Sequence, residues 1–431
     1  MTHNDEFIAE NRHRHVEEVA LEIAGRKDLD TDYVLRQIEG WQRMSHKVPQ
    51  WAATEGIIYP PRLALEQCSG QRAAAYKAET VRRLLKPEER RIMADITAGM
   101  GVDFSCIAPL FERAVYVERK AEIVETARHN MPLLGIKNVD FIEGNGLEVL
   151  QTLQEPLDLL FLDPARRDAH GGKTVCIEDC EPDIAANIDL LLGCSRLVMV
   201  KLSPMLDIAQ AVKTLHRLHE GCVKEVHVIA TGGECKELLL VMGKEHSAEE
   251  PRIHCYEDGK TLVFKASEES VAHCEFCDET GSFLYEPGPA VMKAGAFKTI
   301  AQRYGLKKLH PNSHLYTSTE PVCDFPGRTF RIIARFSFAK ADLKRLADYL
   351  KRDSVNGKGK TQAAAHLAVR NFPATVAELR KRLKIREGGN DYLFATTLGD
   401  GTKCIFACTC RKEKEKEEED KVKEGDLPIK L

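Results

Sequence analysis

The chain has 431 residues, 43% of them hydrophobic and 30% charged, with a formal net charge of −4. That length accommodates two or three domains, and the composition is that of a globular protein. No apolar run approaches the roughly 18 residues of a membrane helix, the polar start Met-Thr-His-Asn-Asp-Glu lacks a signal-peptide core, and the charge excludes a basic field over the whole molecule.

A cytoplasmic location is therefore expected, and nucleic-acid contact would need a local basic patch. The 14 cysteines are scattered rather than framework-like, so most are expected to be reduced thiols.

Residues 1 to about 80 read as helices. Val16, Val19, Ala20 and Ile23 recur at helical spacing, as do Val34, Ile38 and Trp41. Tyr59-Pro-Pro61 breaks the pattern, and a further helical stretch runs over 66–77. This region either caps a sheet or also closes Gln67, Tyr76 and Lys77 over a ligand.

From about 90 to 245 strands and helices alternate, which predicts a parallel sheet. The strands are predicted at 92–96, 114–118, 139–143, 157–162 and 196–201. Two more, at 226–230 and 237–242, are joined by so short a connection that they suit an antiparallel hairpin. Residues 251–268 look like a small hairpin turning at Asp258-Gly259. Beyond 283 come a strand, a helix over 291–304 and the polar loop His310-Pro-Asn-Ser-His314. From 328 to 410 the predicted order is βαβαββ. Residues 412–424 are nearly all Lys and Glu and are expected to be disordered.

The most informative stretch is Asp95-Ile-Thr-Ala-Gly-Met-Gly-Val-Asp103, which follows the first predicted strand. Glu118 ends the second strand, Asn145-Gly146 the third and Asp163-Pro-Ala-Arg166 the fourth. Ligands in such sheets bind at the carboxyl ends of strands. Glycines let the backbone approach a nucleoside, and an acid at the next strand tip accepts hydrogen bonds from a ribose diol. The turn reads G-x-G-x-x and lacks the third glycine of a dinucleotide fingerprint. It fits S-adenosylmethionine, which has no pyrophosphate to cradle. Asp95, Thr97, Ala98, Gly99, Gly101, Glu118, Arg119, Asn145 and Gly146 are the candidate cofactor residues, with the Asn145 amide placed to read the adenine amino group.

The run 95–103, Glu118, Gly144-Asn-Gly146 and Asp163-Pro-Ala-Arg166 resembles motifs I to IV of class I S-adenosylmethionine-dependent methyltransferases. With Glu66-Gln-Cys-Ser69, Lys201-Leu-Ser-Pro204, Lys293-Ala-Gly-Ala-Phe297, His310-Pro-Asn-Ser-His314 and Asn371-Phe-Pro373, the chain is similar to a bacterial methyltransferase family with a C-terminal THUMP-like domain. The resemblance covers nearly everything but the charged tail.

It implies an α/β fold: a Rossmann-like sheet with an N-terminal helical region and a C-terminal α+β (ferredoxin-like/THUMP-like) module. The implied domains are 1–80 (helical), 81–245 (methyltransferase), 246–325 (ferredoxin-like connection), 326–411 (THUMP-like) and 412–431 (tail).

It also implies methyl transfer to an acceptor at Asp163, Pro164 and Arg166, with a base of tRNA or rRNA as the expected substrate and a purine exocyclic amine as the expected target. Amino-directed relatives read Asp/Asn-Pro-Pro-aromatic here. This chain departs from them, with Ala165 for the second proline and Arg166 for the aromatic. The Asp-Pro-x-Arg form is also similar to uridine C5 methyltransferases, which need a cysteine nucleophile; Cys176 and Cys180 follow the motif in no matching context.

Lys201 or Ser203 could face the acceptor, and Gly171-Gly172-Lys173 is either a lid or a plain connection. The lone Cys274-Glu-Phe-Cys277 matches no standard zinc-finger spacing, and no metal is expected. THUMP domains bind RNA, and Arg370, Arg380, Lys381, Arg382 and Lys384 form the candidate RNA-binding cluster, with Lys351, Arg352, Lys358 and Lys360 as a second basic stretch. Methylation of DNA, protein or a small molecule stays open, as does a cofactor-binding RNA adaptor without turnover.

Overall fold

The computed structural model describes residues 3–166, 176–277, 279–351 and 363–410. The Gly171-Gly172-Lys173 loop, Arg352, Lys358, Lys360 and the charged tail lie outside the described residues, as does the Arg166 side chain. The chain forms two compact units, Met1–Arg252 and Ile253–Leu431.

The first unit opens with six helices: α1 (His3–Asn11), α2 (Val16–Ile23), α3 (Thr31–Lys47), α4 (Pro49–Ala53), α5 (Arg62–Gln67) and α6 (Gln71–Leu84). Asp30 caps α3 by accepting from the Tyr33 amide, which satisfies a donor left open at a helix start. Phe7, Val19, Ile23, Leu29, Val34 and Ile38 bury one another in a core of their own. The helical stretch predicted over 66–77 is interrupted at Cys68-Ser69-Gly70, which has extended backbone at Cys68 and Gly70. Glycine is the poorest non-proline helix former, and here it serves as the N-cap of α6. The break turns Ser69 inward.

The alternating region follows as β1 (Ile92–Asp95), α7 (Val102–Ile107), β2 (Arg113–Glu118), α8 (Ala121–Leu133), β3 (Val139–Glu143), α9 (Gly146–Thr152) and β4 (Leu157–Leu162). A two-residue pair comes next, β5 (Ala165–Arg166) and β6 (Cys180–Glu181), which the sequence did not signal. After it come α10 (Ile188–Cys194), β7 (Ser195–Leu202), α11 (Ile208–Leu218), β8 (Val223–Thr231) and β9 (Glu234–Met242).

These strands lie in the order β8-β9-β7-β4-β1-β2-β3. The five from β7 to β3 are parallel. The closing hairpin is antiparallel and inserts β9 beside β7. β1 is buried at every residue and β4 at all but Asp158, as expected of parallel strands covered on both faces. This places the carboxyl ends of β1, β2, β3, β4 and β7 along one edge.

The second unit holds the hairpin β10 (Arg252–Glu257, its first residue at the boundary) and β11 (Lys260–Phe264), turning through Asp258 and Gly259, both at positive φ. After α12 (Ala266–Val271) come β12 (Phe283–Pro287), α13 (Pro289–Ala294), α14 (Phe297–Tyr304), β13 (Lys307–Lys308) and β14 (Tyr316–Ser318). The single helix predicted over 291–304 is two helices, because Gly295 ends α13 in the left-handed conformation.

Then β15 (Gly327–Ser337), α15 (Lys340–Leu350), β16 (His366–Arg370), α16 (Val376–Leu383), β17 (Asp391–Thr397) and β18 (Lys403–Cys410) give the βαβαββ order. The seven-stranded sheet runs β13-β14-β12-β15-β18-β17-β16. Leu346, Leu350, Leu379 and Leu383 seat α15 and α16 on one apolar cluster. Cys277 is buried in another, with Leu284, Phe330 and Phe406.

Candidate active site

A cavity of about 360 Å³ opens at the carboxyl ends of β1 to β4, within the range of small-molecule sites. All nine predicted cofactor residues line it. Gly101 sits at φ 87° as the N-cap of α7, and a Cβ there would stand 2.4 Å from Met131 Cε. A Cβ on Gly146 would stand 2.2 Å from the Ile96 carbonyl oxygen. Gly101 is required by its left-handed backbone and Gly146 by close approach, the latter bringing Ile96 against the start of α9.

Glu118 is held from two sides, its Oε2 accepting from the Gly99 amide at 3.1 Å and its Oε1 from the Lys120 amide at 3.0 Å. Asn145 Oδ1 caps α9 by accepting from the Leu147 amide at 3.1 Å, so the oxygen predicted to read an adenine also serves the helix. Arg119 pairs with Glu181 of β6 at 3.1 Å.

Asp95 is buried and accepts from the Thr97 amide at 3.0 Å. Burial pushes its carboxyl well above the usual range, and the charges of Asp103 and Asp163 push the same way; only the Thr97 amide and Lys201 oppose. Thr97 Oγ1 in turn accepts from the Asp163 amide at 2.6 Å, joining the ends of β1 and β4.

A second cleft adjoins the first. Gln67, Cys68, Ser69, Asp163, Ala165 and Lys201 line both. Pro164 lines only the second, and the Arg166 backbone pairs with Cys180 in β5–β6.

Beneath the junction lies a charge network that sequence reasoning reached only in part. Lys77, wholly buried on α6, pairs with Asp103 at 2.8 Å and with Glu237 of β9, and reaches Ser69 Oγ at 2.8 Å. Lys201, at the end of β7, pairs with Asp163 at 2.5 Å and with Asp103 at 3.5 Å. Ser69 Oγ lies 2.8 Å from Asp103 and 3.0 Å from Glu237.

Burial works against the charged form of Lys201, yet Asp163, Asp103 and Glu237 hold its ammonium well above the ordinary lysine range. Burial likewise opposes ionised Asp103, but the two lysines hold its carboxyl below the ordinary value. At Asp163 burial prevails over Lys201 and the carboxyl is raised.

Of the three residues considered for closing over a ligand, Gln67 lines both clefts. Lys77 lies beneath them, and the Tyr76 hydroxyl meets His227 Nδ1 at 2.8 Å.

The described chain is similar throughout to a crystal structure of a methyltransferase from Porphyromonas gingivalis W83. The two are 34% identical with a TM-score of 0.79, over 95% of this chain and 98% of that one. Residues 283–326 match a family model of a ferredoxin-like domain, and residues 327–411 one of a THUMP domain-like module. The chain is a class I S-adenosylmethionine-dependent methyltransferase with a C-terminal THUMP-like domain.

An S-adenosylmethionine-dependent methyltransferase of Mycobacterium tuberculosis is 24% identical to this methyltransferase over 367 residues, 84% of this chain and 90% of the relative. An RNA methyltransferase of Clostridium tetani is 29% identical over 90 residues, 21% of this chain and 20% of the relative.

The first cleft of the methyltransferase fits S-adenosylmethionine by its donor set. Six acids and three cations line it, a balance suited to a ligand that carries a sulfonium and an ammonium. The 97–101 turn offers backbone and no cationic side chain for a phosphate. No helix among the described residues is long and apolar enough to cross a membrane.

Proposed function

We propose that this methyltransferase modifies structured RNA, either tRNA or rRNA, with the THUMP-like module recruiting the RNA. Charge carries the reading. Residues 327–411 hold 18 Lys and Arg against 7 Asp and Glu, in a chain whose net charge is −4. A positive module on an otherwise acidic protein is the footprint of a phosphate-backbone contact. The RNA methyltransferase names of the partial relatives support the same reading.

The five candidate RNA-binding residues differ in their surroundings. Arg370 pairs with Glu286 at 2.8 Å, and Arg380 pairs with Glu387. Lys381, Arg382 and Lys384 are exposed at the C-terminal end of α16, with the Arg382 guanidinium 5.3 Å from the Phe338 ring centre. Arg370, Lys381, Arg382 and Lys384 are all exposed to solvent, whereas Arg380 is half-buried. Replacing Lys381 and Lys384 by Ala is expected to weaken binding of total tRNA and to lower the slope of log affinity against log salt by about 1 to 2. Fluorescence anisotropy between low and moderate salt reads this. An unaltered slope moves the RNA contact elsewhere.

When bound, S-adenosylmethionine supplies a methyl group on a good leaving group, so alignment is the main task. Glu118 would hold the ribose hydroxyls, Asp95 and the backbone of Thr97, Ala98, Gly99 and Gly101 would hold the rest of the nucleoside, and Arg119, Asn145 and Gly146 would contact the adenine. Asp163, Pro164 and Arg166 take the acceptor nucleotide.

Glu118→Ala removes hydrogen bonds to a charged group, each worth about 1.5–3 kcal/mol. Its affinity for S-adenosylhomocysteine by calorimetry is expected to fall at least about tenfold, with the melting temperature little changed. Unchanged affinity would refute the cofactor assignment.

The test of the whole reading is radiolabelled methyl transfer to total RNA from a strain lacking the protein, with DNA and protein fractions in parallel. Label in one RNA size class supports it. Label only in DNA or protein overturns the RNA assignment, and intact cofactor binding with no label anywhere favours an adaptor.

A further inference from the structure

The two clefts share only two charged residues among those described, Asp163 and Lys201, and these pair with each other. An acceptor in the second cleft therefore meets the donor's methyl group beside a carboxylate and an ammonium locked together. Given the RNA reading above, on which this rests, we propose that the acceptor atom is a ribose 2′-hydroxyl oxygen, with Asp163 taking its proton and Lys201 stabilising the charge left on oxygen.

The choice between oxygen and nitrogen follows from the arrangement. An exocyclic amine is positioned by two acceptors, one of them the acid after the fourth strand. Here the acid carries an ammonium on its Oδ2, so any acceptor held by its other oxygen lies beside a fixed positive charge. A neutral amine also gains positive charge as it is methylated, which a fixed neighbouring ammonium opposes. A hydroxyl behaves oppositely. It sheds a proton as it is methylated, so negative charge develops on oxygen, and a preorganised ammonium stabilises that charge.

The fixing is built in depth. Lys201 Nζ lies 3.2 Å from Ser69 Oγ and 3.5 Å from Asp103. Asp103 and Glu237 are tied in turn by Lys77. Lys77, Asp103, Glu237 and Ser69 are thus positioning residues.

Two further facts agree. Lys201 is held well above the ordinary lysine range by Asp163, Asp103 and Glu237 despite its burial, so it acts as a charge and not as a base. The Asp163 side chain remains 34% exposed to the clefts, within reach of an acceptor hydroxyl. The second cleft also carries exposed Arg72 and Lys236, the latter paired with Glu234.

The step balances. The hydroxyl oxygen bonds to the methyl carbon, the carbon–sulfur bond breaks with its pair left on sulfur, and the hydroxyl proton goes to Asp163 and then to water in the open cleft.

The experiment uses the full chain, tritiated methyl donor and deproteinised total RNA from a strain lacking the protein. The labelled RNA is digested to nucleosides and, in parallel, hydrolysed with alkali. The expected label leaves with the sugar when the glycosidic bond is cleaved, and it appears in alkali-resistant dinucleotides because a 2′-O-methyl group blocks hydrolysis. Label that leaves with the base overturns this inference and keeps the RNA reading. Absence of RNA label overturns both.

Lys201→Met is expected to lower the rate at least 100-fold while S-adenosylhomocysteine affinity stays within threefold, with Lys201→Arg restoring part of the rate. A fully active Lys201→Met enzyme also refutes the inference. Should that variant fail to fold, the product analysis of the unaltered protein still decides.

Discussion

Lys77→Met is expected to lower the melting temperature by on the order of 10 °C, far more than loss of any surface charge. Lys77 is wholly buried, yet it contributes no apolar packing that methionine could not supply. It lies on an α6 face formed by Ala73, Ala74, Ala78 and Val81, small residues that bring the helix close to α7 and β8. The loss comes from the partners. Glu237, under a tenth exposed, keeps a charge with its paired lysine removed, and equally buried Asp103 keeps only the longer contact to Lys201 at 3.5 Å.

Removing one member of a buried ion pair costs about 3–5 kcal/mol, because the remaining charge stays unsolvated. For a unit of this size each kcal/mol shifts the midpoint by roughly 2–4 °C. Adding Glu237→Gln to Lys77→Met removes one of the stranded charges and is expected to recover part of the loss. Differential scanning calorimetry of the three proteins tests this. Additive losses would show that Lys77 and Glu237 do not act on each other.

The second large effect is on rate. Asp163→Ala is expected to lower kcat by about 10²–10⁴-fold, the usual contribution of a positioned acid–base group. Affinity for S-adenosylhomocysteine should change little, because Glu118 and the 97–101 turn do not depend on the Asp163 side chain. It is the Asp163 backbone amide that bonds Thr97, and alanine keeps it. Lys201 retains Asp103 as a counterion, so the fold survives. Single-turnover kinetics beside calorimetry separate the two terms. A variant that loses affinity and rate in equal measure would make Asp163 a ligand of the cofactor and not an acceptor group.

Much of the fold was legible because the signals were periodic and local. The alternation of apolar strands with amphipathic helices gave the parallel sheet, and the glycine turn with Glu118 gave the first cleft. The break at Cys68-Ser69-Gly70 was missed because the flanking residues keep helical spacing on either side of it. The Gly295 break between α13 and α14 was missed for the same reason. The β5–β6 pair escaped because two residues carry no period.

The charge network was half visible. Lys77 stands among alanines, Lys201 closes the apolar run 197–200, and Glu237 precedes the apolar run 238–242. A lone charge at a position the pattern marks as buried is the signal that could have found all three, since such residues are almost never buried unless paired. The pairing itself could not be read, because its members lie on separate elements. Two members of the basic cluster have acid partners that the sequence did not signal. Arg370 pairs with Glu286 and Arg380 with Glu387, acids that composition alone does not place beside them.

The placement of β9 has a consequence for how the enzyme comes into being. Lys77 and Glu237 are 160 residues apart in the chain, and Ser69 and Glu237 are 168 apart. Contacts so distant close late, after the local structure on either side has formed. During synthesis, the glycine turn and Glu118 emerge from the ribosome well before β9 does. A nascent chain can therefore shape the nucleoside pocket while Lys77 still lacks its second counterion. Until β9 pairs beside β7, Lys77 has Asp103 but not Glu237 to balance its charge, so the network under the two clefts is completed only after the pocket residues have been made.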